Sequence, residues 1–153
     1  GFYAWGWATW RDRFAKYEKR PNKLLKWKKN KVKKFNLNSA YNFYSQIQRN
    51  HSGTLDSFAI FWYALIFNNN GFTLFPKKSL VRNDGIGRNA THTKVKGFFV
   101  NRKISQKKKF TLPDEVIEDL IISKTIKNYF TKKNKNYFLK ILNFLKRFNI
   151  RNV

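Results

Sequence analysis

The chain contains no cysteine and no methionine in its 153 residues. Without cysteine there is no disulfide, no thiolate metal site and no cysteine nucleophile, a composition that suits a reducing compartment. Acids are scarce as well, 8 Asp+Glu against 33 Lys+Arg, for a net charge of +25. A balance of that kind points to a polyanionic partner such as nucleic acid, phosphate groups or an anionic membrane. Asn, Lys, Phe and Ile all have AT-rich codons, so genome composition inflates both charge and aromatic content and weakens an argument from charge alone. No apolar run reaches the ~18 residues needed to span a bilayer; residues 58–67 form the longest. No signal peptide is visible. A start at Gly1 without methionine leads to the expectation of a processed product or a piece of a larger protein.

What is present is concentrated. Trp5-Gly6-Trp7-Ala8-Thr9-Trp10-Arg11 places three tryptophans within six residues and closes on a cation. Tryptophan is large and needs a purpose-built site, so such density is not filler. Residues 1–15 read as an apolar segment entering a helix at Thr9 or Asp12, and residues 16–36 as a lysine run with Leu24, Leu25, Trp27 and Val32 at loose helical spacing. Asn38 is expected to cap a helix through Arg49. Asp56 or Ser57 should cap a helix over 58–67 that is apolar all round and therefore buried. Gly71 suits the left-handed position that ends it. Short strands are expected over 72–75 and, after Pro76, over 79–83, followed by the turn-rich loop Asn83-Asp84-Gly85-Ile86-Gly87-Arg88-Asn89. Pro113 is expected to open a helix whose first turn holds Asp114, Glu115, Glu118 and Asp119, where the helix dipole favours acids. Phe138, Ile141, Leu142, Leu145 and Phe148, backed by Lys140, Lys146 and Arg147, read as a basic amphipathic helix able to adsorb to anionic membrane.

Three segments carry a resemblance: residues 5–11 above, then Asp56-Ser57-Phe58-Ala59-Ile60-Phe61-Trp62-Tyr63, then Leu74-Phe75-Pro76-Lys77-Lys78-Ser79-Leu80-Val81-Arg82-Asn83. In this order and at compatible spacing they resemble the C-terminal half of family 2 glycosyltransferases that build bacterial surface polysaccharides, over roughly residues 2–93. The resemblance implies an α/β fold of the GT-A type, α+β in a fragment. Residues 1–100 would form the acceptor-side half of the transferase domain and 101–153 a basic helical extension. It also implies an inverting enzyme passing sugar from a nucleotide-diphosphate donor to a glycan or lipid-linked glycan, at the cytoplasmic face of the cell membrane. Departures are clear. The family's cysteines beside the first and last motifs read Ala4 and Thr93 here, and no Asp-X-Asp is present. That motif holds a divalent metal (Mn or Mg) and the donor diphosphate N-terminal to the matched segment, so this chain alone is expected to be inactive.

Inverting transfer needs a base for the acceptor hydroxyl and cations or a metal for the departing diphosphate. Asp56 is the only carboxylate between Glu18 and Asp84; the resemblance places it at the second acid of the family's Glu-Asp pair, as the base, against the plain alternative of an N-cap. Trp5, Trp7 and Trp10 offer aromatic faces to sugar C–H faces, or alternatively pack in the core. Arg11 could meet acceptor hydroxyls or a lipid-linked pyrophosphate. Gly85 and Gly87 would let backbone approach phosphate, Arg82 and Arg88 would help neutralise it, and His92 is the candidate metal or diphosphate contact, each set against an ordinary surface role. His51 is read as ordinary. The reading from a different class is a basic nucleic-acid-binding protein such as an organellar ribosomal protein; it stands second because the basic stretches lack a stacking platform.

Overall fold

The computed structural model describes residues 4, 6–76, 78–82 and 104–133. Among them the chain is helical: α1 (Arg11–Phe14), a 3-10 turn (Asn22–Lys26), α2 (Lys29–Phe35), α3 (Tyr44–His51) and α4 (Phe58–Asn68). A further helix, α5, runs over 120–133.

Helix α4 is the axis of the fold. Its residues are apolar on every side, and Ile60, Phe61, Trp62, Tyr63 and Ala64 are buried in succession. Such a helix has no face for water and must be wrapped. Leu24, Phe35 and Ile47, from the 3-10 turn, α2 and α3, close one side of it, with Trp27, Phe43, Tyr44 and Phe67 packed around them. Phe35 and Tyr63 stack with ring centroids 4.5 Å apart, and the Tyr63 hydroxyl donates to the Phe35 carbonyl oxygen at 2.9 Å. Helix α5 docks on this body through Phe130, whose ring meets Tyr41 at 5.0 Å and Phe43 at 5.3 Å.

Polar side chains fix the joints. Asn50 is wholly buried; its Nδ2 donates to the Gln46 carbonyl at 2.7 Å and its Oδ1 accepts the Ser57 N–H at 2.8 Å. One amide thus ties α3 to the N-cap residue of α4. At the far end of α4, Gly71 N–H bonds to Ile66 O (2.8 Å) and Asn70 N–H to Phe67 O (3.2 Å), the paired bonds of a Schellman ending. Asn70, with φ of 49°, takes the left-handed position expected of Gly71. Asparagine tolerates that conformation, and at Gly71 an added Cβ would lie 3.3 Å from the Ile66 carbonyl oxygen.

Several expectations are overturned. There is no strand among the described residues, so an α/β GT-A domain, or an α+β fragment of one, does not describe this fold. Residues 72–75 and 79–82 are irregular, with Phe72, Leu74, Phe75, Leu80 and Val81 exposed. Among the described residues a single backbone bond, Ser105 N–H to Ser79 O at 2.8 Å, links these segments to a distant part of the chain. An isolated pairing of that size does not sustain a sheet. Asn38 does not cap α3. It lies in a left-handed run with Leu37 and Ser39, and the first N–H groups of α3 go instead to Asn36 Oδ1 (Tyr44, 2.9 Å) and Asn42 Oδ1 (Ser45, 3.1 Å). No helix opens at Pro113 either. The helix begins at residue 120, with Asp119 Oδ1 accepting the Ile122 N–H at 2.9 Å. The adjacent β-branched Val116 and Ile117 weaken a helix there, and aspartate favours the cap over the interior. The expected amphipathic helix after Lys135 lies outside the described residues.

Two outcomes follow from these joints. Asn50→Ala leaves the partly buried Ser57 N–H without its acceptor and should cost about 1–3 kcal/mol in urea denaturation. Burial pushes the Tyr63 phenol up to about 12 from an ordinary 10.0. The folded chain therefore holds that proton more tightly than the unfolded chain. The corresponding stability is complete below pH 10 and is lost as pH rises through about 12, by on the order of 2–3 kcal/mol. Lysines titrate over the same range, so the readout is the difference in pH slope between wild type and Tyr63→Phe, which should vanish below pH 9.

Candidate functional site

The N-terminal aromatics gather on the other side of α4. Trp7 lies against Trp62 (ring centroids 5.3 Å apart) and stacks on Phe58 (6.1 Å). Phe14 meets both Trp7 (6.2 Å) and Trp62 (5.9 Å), and stacks parallel on Tyr17 at 5.8 Å. Gly6, with φ of 62°, passes so close to Val81 that a Cβ there would overlap the valine side chain. Only glycine meets both conditions, the left-handed backbone and the close approach. Residues near positions 6, 60 and 81, distant in sequence, are thereby brought to one place.

The candidate residues divide accordingly. Trp7 is part of this packing, whereas Trp10 is 75% exposed and presents its ring to solvent at the start of α1. Arg11, next to it, is exposed. Asp56 stands two residues before Phe58, its side chain 68% exposed. It is not the N-cap of α4, a position held by Ser57. Its Oδ1 instead meets Lys19 Nζ at 3.4 Å and Arg20 Nη2 at 3.2 Å. Arg82 is exposed. Trp5, Gly85, Gly87, Arg88 and His92 lie outside the described residues. His51 packs its ring edge-on to Phe61 at 6.0 Å, with a buried Nε2 that has no protein partner.

Three side chains around Asp56 were not singled out by sequence: Lys19, Arg20 and Tyr17. The Tyr17 hydroxyl is buried without a protein partner, and burial first, then the negative charge of Asp56, pushes its phenol above the ordinary value. Nothing in the local sequence marks this group, since Asp56 lies 36 residues from Arg20. No cluster of three or more His, Cys, Asp or Glu suited to a metal occurs among the described residues. The one carboxylate at the site faces two cations, a poor arrangement for a metal ligand. The Mn or Mg implied by the resemblance belongs to other residues, His92 among them, which lie outside those described. No described helix is long and apolar enough to cross a membrane.

Compared with known proteins, the chain matches no family model, no curated sequence and no solved structure.

The division between the two tryptophans is directly measurable. Trp7→Ala removes a ring in contact with Phe14, Phe58 and Trp62 and should cost about 3 kcal/mol or more in chemical denaturation. Trp10→Ala should stay within about 0.5 kcal/mol of wild type, as for a surface substitution. Equal losses would place both rings in the core.

Proposed function

We propose that this chain contributes the acceptor-binding side of an inverting glycosyltransferase that uses nucleotide-diphosphate sugars and acts on a glycan or lipid-linked glycan at the cytoplasmic face of a membrane. The observation that supports it is the convergence of the three resembling segments. Trp7 packs on Phe58 and Trp62, and Gly6 packs on Val81. That packing holds an exposed indole, Trp10, and an exposed carboxylate, Asp56, on segments anchored to one aromatic cluster. An indole face suits the C–H face of a sugar, with Arg11 beside it for hydroxyl or phosphate oxygens.

In this reading Asp56 takes the proton of the acceptor hydroxyl as that oxygen bonds to the anomeric carbon. The bond to the diphosphate breaks on the opposite face and the configuration inverts. The divalent metal that the resemblance implies, with His92 as its candidate contact here, would be held by residues outside those described and would stabilise the departing diphosphate. Donor binding falls to residues outside those described here.

The nucleic-acid reading has less to work with. The lysine-rich α2 offers Lys29, Lys31, Lys33 and Lys34, but the adjacent Trp27 packs on Phe35, Tyr44 and Phe67 and is covered by Lys31 Nζ at 4.9 Å. It is not presented for base stacking.

Asp56→Asn removes the base while leaving Ser57 at the helix start, and the exposed ion pairs it loses contribute little to stability. Turnover of a labelled nucleotide-sugar by the full-length gene product should fall about 10²–10⁴-fold, with an unchanged melting curve. Near-normal transfer by the folded variant would remove Asp56 as the base. Binding to RNA with a steep salt dependence, and no sugar transfer by the wild type, would favour the nucleic-acid class instead.

A further inference from the structure

Lys19 and Arg20 are consecutive, yet both side chains reach the same oxygen, Asp56 Oδ1. Neighbouring residues in a regular helix or strand do not converge in this way, because their side chains point apart. Here the backbone turns. Arg20 has φ of 56°, left-handed for a non-glycine residue, and is followed at once by Pro21. Left-handed backbone is unfavourable for a side chain as large as arginine and persists where surrounding structure imposes it. The chain accepts that conformation and gains two cations aimed at one point.

That point is open to solvent, since the three side chains are between 39% and 68% exposed. An exposed carboxylate between exposed cations is held weakly and exchanges readily. A phosphate or diphosphate is a better occupant, with more charge and several acceptor oxygens set to match the guanidinium fork. The Tyr17 hydroxyl, buried and without a protein partner, feels the Asp56 charge from beneath the surface.

We infer that Lys19 and Arg20 form a phosphate-binding site that Asp56 closes in the unliganded protein. The ligand class is a phosphate monoester or a diphosphate. Its arrival displaces the Asp56 carboxylate from the two cations. Only the last consequence rests on the transferase reading: the displaced carboxylate becomes available to the acceptor hydroxyl when the phosphate of a lipid-linked acceptor is in place, so the base is released only in the acceptor-loaded site.

The site can be tested without turnover. Inorganic pyrophosphate is titrated into the chain at physiological salt and followed by calorimetry and ³¹P NMR. Wild type should show one saturable site. Arg20→Ala should weaken it at least tenfold, and Arg20→Lys, which keeps the charge but loses the fork, should be intermediate. Asp56→Asn should tighten binding several-fold because the competing carboxylate is gone. Lys33→Gln removes an equal charge on α2 and should leave binding within twofold. Equal weakening by Lys33→Gln and Arg20→Ala would reduce the effect to general attraction by a +25 chain and overturn the site. So would an Asp56→Asn variant that binds no more tightly than wild type. If an Arg20 variant fails to give the wild-type far-UV spectrum, Lys19→Gln, with no left-handed backbone to disturb, supplies the same comparison. Pyrophosphate binding with these dependences but no sugar transfer by the gene product would keep the site and remove the transferase reading.

Discussion

The fold depends on burying α4. Five successive residues, Ile60 to Ala64, are out of solvent, so the helix must be covered on opposite sides at once. Phe35, Tyr63 and Phe67, with Trp27 and Phe43, make one cover; Trp62 with Trp7, Phe14, Tyr17 and Phe58 makes the other. Aromatic pairs of this kind add about 0.5–1.5 kcal/mol each beyond the area they bury. The second cover is also what gathers the functional candidates. Trp10 and Arg11 follow Trp7 along the chain, and Asp56 precedes Phe58, so satisfying the helix positions the surface around it.

Charge works against this arrangement. With 33 cations and 8 acids the chain repels itself in any compact state. The ion pairs among the described residues join Asp12 to Arg13, Glu18 to Lys23, and Asp56 to Lys19 and Arg20, and all are exposed. Exposed pairs contribute little. The aromatic core must therefore carry the stability, which explains why so many large rings are committed to so small a body. A site that draws anions is a natural outcome, because a bound phosphate offsets repulsion that the protein's own acids cannot.

Sequence reasoning located α4 closely, because a continuous apolar run has one physical solution once it is too short for a membrane. It left the tryptophans between a sugar-facing platform and the core, and the structure divides them, Trp10 facing solvent and Trp7 packing inward. It failed where competing side chains decide the outcome. Asn36 and Asn42 displace Asn38 as the donors' partners for α3, and Asp119 captures the start of α5 that Pro113 seemed to own. The strands failed for a different reason. Residues 72–75 have strand-like apolar content, but strand formation needs a partner of matching length, and none is present among the described residues. Nor could the grouping of Tyr17, Lys19 and Arg20 with Asp56 be foreseen, since it depends on a left-handed backbone at a residue type that rarely adopts one.

The proposed transferase role rests on a carbohydrate-facing surface at Trp10, with Trp7 and Trp62 kept internal. Its most direct test is a ¹⁵N NMR titration of the chain with bacterial surface oligosaccharides, following the indole N–H signals. The Trp10 indole and the Arg11 backbone amide should shift saturably, with Trp7 and Trp62 nearly still. Uniform small shifts, or movement confined to the lysine-rich α2, would contradict it.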